Sequence, residues 1–203
     1  MFNTSCPVCS THCRRTCLLT FPRARKLLYS PELQADGQPQ KGIDDAYGIS
    51  LEGFRLRQAL VDWEANVTRP ESSKAGSHNS KAGAFFILAK LFFAATSIYL
   101  SGVFDYEMPH WQDIGIVAPT LSEDEIQEHV RNILTHTREI LLNPSISPLL
   151  TLFPLRVAGA RSWETWQQDS IMDSLSAIEE SFPVAASFRA DLQSVWSRRG
   201  LLA

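Results

Sequence analysis

Residues 82–104 read AGAFFILAKLFFAATSIYLSGVF, and every other segment of the chain has to accommodate them. Between Phe85 and Val103 the one charge is Lys90; the rest is Phe, Ile, Leu, Ala and small polar residues. A run of this length and composition can cross a bilayer. It is equally the central helix of an all-α domain whose neighbours cover it. The flanks suit the orientation rule for a span, with Arg69, Lys74 and Lys81 before it and Asp105 and Glu107 after it. Against a span, Lys90 lies a third of the way in, where a lysine near the bilayer centre costs roughly 3 kcal/mol. Thr96, Ser97 and Ser101 dilute the apolar character further. The remaining chain also offers several amphipathic helices, each with an apolar stripe in need of a partner. The segment is therefore expected to be a core helix of a soluble all-α domain. A single span over residues 83–104, making the chain a membrane-anchored protein, is the alternative.

A chain of 203 residues forms one domain with a tail and buries a sizeable core. Hydrophobic residues at 44% and charged residues at 20% exclude wholesale disorder. The net charge of −3 is unevenly spread: Arg14, Arg15, Arg23, Arg25 and Lys26 precede the first acidic residue, Glu32, and removing those five positive charges leaves −8 on the remainder. An acidic body lacks the basic face that phosphate binding requires, so no direct nucleic-acid binding is expected. All four cysteines fall in the first seventeen residues, so no disulfide staples the body. The start shows no early basic region followed by an apolar core, which points to an intracellular, reducing compartment.

Residues 1–48 carry Pro7, Pro22, Pro31 and Pro39 with Gly37, Gly42 and Gly48, show no sustained period, and read as a disordered leader ahead of an all-α domain over 49–203. The first helix is expected over about Ser50 to Thr68, capped by Ser50, with Leu56, Leu60, Trp63 and Val67 on one face and Pro70 ending it. Arg69 to Lys81 is a polar linker. Residues 105–121 read as a long loop that Trp111 and Ile114 to Val117 help to pack down. Ser122 and Glu125 then form a capping box, with Leu121 and Ile126 as a hydrophobic staple, ahead of a helix that ends at Asn143-Pro144. Leu149–Ala160 predicts a short helix kinked or begun at Pro154. Ser162 is placed to cap the next helix, with a stripe of Trp163, Trp166, Ile171, Leu175, Ile178 and Phe182. A last helix follows Pro183, with Val184, Phe188, Leu192 and Val195 on its face.

Chemistry-bearing groups are sparse. Cys6, Cys9, Cys13 and Cys17, with His12 among them, are of the types that hold zinc, and they stand as the candidate metal site. Three residues separate the second pair and no distant pair closes the shell, so free cysteines in a tail are the alternative reading. Beyond that zinc no cofactor is expected. The arginines nearby suit a nuclear-import patch or a mitochondrial presequence. His12, His78, His110, His129 and His136 form no metal signature, and no nucleophile elbow, P-loop or dinucleotide fingerprint occurs, so no enzyme is expected.

The segment LLTLFPLRVAGA, Leu149–Ala160, carries Phe153-Pro154-Leu155 followed by Val157-Ala158-Gly159. It resembles the C-terminal regulatory domain of fungal binuclear zinc-cluster transcription factors. The flanks are similar too: His136 to Leu142 before it, Trp163 to Glu180 after it, and Phe188 to Arg198, with Trp196, at the end. The resemblance spans residues 50–199 and is specific at the FPL-VAG segment. It implies a multi-helix, non-enzymatic regulatory domain that works through protein contacts, with the transcriptional machinery or a second copy of the chain as partner, in the nucleus rather than the cytoplasm or a membrane. The family's DNA-reading module carries six cysteines; here there are four and the C-x2-C-x6-C order is absent, so the resemblance carries over regulation and not DNA binding.

Overall fold

The computed structural model describes the backbone of residues 39–68, 80–105 and 108–200, and the side-chain surroundings of 43–67, 83–105 and 111–199. Among these residues the chain is all-α, with no strand. The helices are α1 (Pro39–Thr68), α2 (Ser80–Asp105), α3 (Met108–Asp113), α4 (Glu123–Leu141), α5 (Leu152–Arg161), α6 (Thr165–Glu179) and α7 (Ala185–Gly200), with a 3-10 turn at Pro148–Thr151. They divide into two compact units, the first built from residues up to Asn66 with Leu100–Thr120, the second from Val67–Tyr99 with Leu121 onward.

The second unit has the larger core. Leu91, Ala94, Ala95 and Ile98 of α2 meet Ile126, Val130, Ile133 and Ile140 of α4, Leu155 and Ala158 of α5, Ile171, Leu175 and Ile178 of α6, and Leu192 of α7. The apolar helix thus serves the core, though through one side: Phe85 and Tyr99 remain more than half exposed. Lys90 is accommodated at the core's edge with its Nζ 4.5 Å from the Phe86 ring centre, a cation–π contact that softens the burial of its stem. Helix α4 begins as its sequence predicts. The Ser122 amide donates to Glu125 Oε2 at 2.8 Å, and the Glu125 amide donates back to Ser122 Oγ at 3.3 Å. Glu123, Asp124 and Glu125 lie at the positive end of its dipole.

In the first unit Ala46, Phe104 and Trp111 are buried, and Ile49, Leu100, Val103, Ile114, Ile116 and Ala118 pack around them. Two expectations change here. Helix α1 starts at Pro39, well ahead of Ser50. Proline is accepted at a first helical position because its missing N–H has no partner there, and burial of Ala46 and Ser50 offsets the glycines that follow. Ser50 is consequently no cap: its hydroxyl donates to the Val117 carbonyl at 2.6 Å, and Arg57 Nη1 donates to the Thr120 carbonyl at 2.6 Å. The supposed loop over 105–121 also contains helix α3. Gly115, with φ of +70°, closes it by donating to the Gln112 carbonyl at 3.0 Å.

Gly53 lies where α1 passes closest to its surroundings: a Cβ added there would sit 2.5 Å from Phe104 Cζ and 2.6 Å from Pro119 Cγ. Gly53→Ala is expected to destabilise the protein by about 1–3 kcal/mol through overpacking, despite alanine's better helix propensity. Denaturant melts that show a stabilised Gly53→Ala chain would contradict this packing.

Candidate functional site

The 3-10 turn leads into α5, and Thr151 Oγ1 donates to the Pro148 carbonyl at 2.8 Å to hold the joint. The helix begins at Leu152, so Pro154 lies within its first turn. It occupies the third helical position, where backbone N–H groups have no intrahelical acceptor in any case. Leu152, Pro154, Leu155, Val157, Ala158 and Gly159 are all buried, which covers most of the circumference. Half-buried Arg156 pairs with Asp191, Nε to Oδ2 at 2.5 Å.

A helix so enclosed cannot leave its last carbonyls to water. Here each is met by a side chain. Ser162 Oγ donates to the Ala158 carbonyl at 2.9 Å, and Trp196 Nε1 donates to that of Gly159 at 2.8 Å. Arg199 Nη2 donates to the Ala160 carbonyl. Gln127 Nε2 donates to the Arg161 carbonyl at 2.9 Å, and Gln168 Nε2 to that of Ser162 at 3.4 Å. Gln127 is itself fixed by Gln167, whose Nε2 donates to Gln127 Oε1 at 2.9 Å and whose side chain is almost fully buried. The Arg199 guanidinium also lies 4.4 Å from the Trp163 ring centre. Burial lowers the pKa of Arg199, the charge of Arg161 adds to that, and Glu123 works the other way. An arginine stays cationic under such shifts, and a cation is what the negative end of α5 favours.

Gly159 is set by close approach. A Cβ there would fall 2.6 Å from both methyl carbons of Leu192. Leu192 and Trp196 are four residues apart on α7 and so share a face. One packs on the Gly159 Cα while the other binds its carbonyl, which joins Val157-Ala158-Gly159 to Trp196 in a single contact.

The stretch from residue 39 to residue 201 matches the family model of the fungal-specific transcription factor domain. The chain belongs to that family. No curated protein and no solved structure matches it. Within this fungal-specific transcription factor domain, Pro154, Leu155, Val157, Ala158 and Gly159 are interior and hold the second unit together. Phe153 differs. It is 40% exposed, with its ring centre 6.3 Å from that of Phe92 and 6.0 Å from that of Tyr99, in an open aromatic cluster.

Other candidates fall elsewhere. Cys6, Cys9, Cys13, Cys17, His12 and His78 lie outside the described residues, and the side chain of His110 does too. His136 Nδ1 is 3.0 Å from Glu139 Oε2, and His129 meets the Phe93 ring edge-on at 5.6 Å. Among the described residues no group of three or more His, Cys, Asp or Glu is placed to hold a metal. Trp163 and Trp166, expected on the buried stripe of α6, are 61% and 52% exposed. The helix starts at Thr165 and Gln167 occupies the interior phase with Ile171, Leu175 and Ile178. Ser162 closes α5 rather than capping α6.

Gly159→Ala is expected to destabilise the protein by about 1–3 kcal/mol. Leu192→Ala alone is expected to lose about 2–5 kcal/mol. Together they should lose clearly less than the sum, because the second change removes what the first collides with. Strict additivity in a double-mutant cycle would show that the two residues do not press on one another.

Proposed function

We propose that this chain is the regulatory, protein-contacting region of a fungal transcription regulator, acting in the nucleus without sequence-selective DNA binding of its own. Membership of the fungal-specific transcription factor domain family carries this reading. Two features support the finer statement. The net charge of −8 from the first acidic residue onward disfavours binding to duplex phosphates. The exposed cluster of Phe153, Tyr99 and partly exposed Phe92 is the kind of apolar surface that marks protein contacts on otherwise polar exteriors. The components of the transcriptional machinery are the partners such a surface suits.

Helix α2 is the one described helix long and apolar enough to cross a membrane, over Gly83–Asp105. Its buried stripe packs with α4 to α7, and the Ser101 hydroxyl within it is buried and donates to Asp105 Oδ2 at 3.1 Å. The buried stripe supports a helix folded against protein, and 28% of its apolar window is buried.

Fused to a heterologous DNA-binding domain, the chain is expected to change reporter output, and Phe153→Glu is expected to reduce that change while leaving the helical circular dichroism intact. Gel shifts with the chain alone should show no selective complex at physiological salt. A tight, sequence-selective shift, or retention in the pellet after alkaline carbonate extraction, would overturn the reading.

A further inference from the structure

We draw no further inference here: the strongest candidate, the exposed apolar row of Tyr47, Leu51, Phe54 and Val61 along the outer side of α1, carries none because nothing in the structure shows what covers it.

Discussion

A helix end enclosed by protein must have its carbonyls bonded by protein, and the second unit is arranged around that requirement. Each neutral hydrogen bond contributes on the order of 1 kcal/mol net, but an orphaned buried carbonyl forfeits about 1–3 kcal/mol. The asymmetry makes the capping groups at the end of α5 hard to replace singly. Gln127 comes from α4, Gln168 from α6, and Trp196 and Arg199 from α7. Helices α4, α6 and α7, which pack apolar residues against α5, each also supply a polar group to its end. The directional bonds fix where each neighbour sits along the axis, which apolar contact alone leaves loosely specified.

This division of labour explains why the segment Phe153 to Gly159 stands out as text. Its residues are constrained for different reasons: Pro154 by the free N–H positions of a first turn, Leu155 and Ala158 by volume, Gly159 by the Leu192 side chain above it. Trp196 lies far along the chain, yet its indole N–H and Gly159 form one constraint. A larger residue at 159 would move α7 outward and break the bond that Trp196 makes.

What the sequence discloses follows from how local each signal is. The start of α4 is written in four consecutive residues, Ser122 to Glu125, and the structure reproduces it. The all-α class follows from helical periods summed over many residues. Signals that depend on distant partners are not legible. Nothing near Gln167 says that it is interior, because its burial is made tolerable by Gln127 forty residues away. Trp163 and Trp166 look like core residues by size, and both are exposed because the helix phase is set from Glu164, whose amide donates to Gln167 Oε1. The onset of α1 was hidden by Gly42 and Gly48, whose intrinsic cost is overridden by packing within the first unit.

Apolar periodicity records that a stripe wants cover and is silent on where the cover comes from. On α1, Leu56, Leu60, Trp63 and Val67 suggest a single inward face, yet of these Leu60 alone is fully buried and the others are partly so. The residues that do go inside include Ala46, Ser50 and Gly53, which are small because Phe104, Pro119 and the Val117 carbonyl approach closely there. Bulky Tyr47, Leu51, Phe54 and Val61 lie outside. In the first half of this helix, then, small side chains lie inside and several bulky ones lie outside. Small residues face a neighbour already in place, and large ones face a space that no described part of the chain fills.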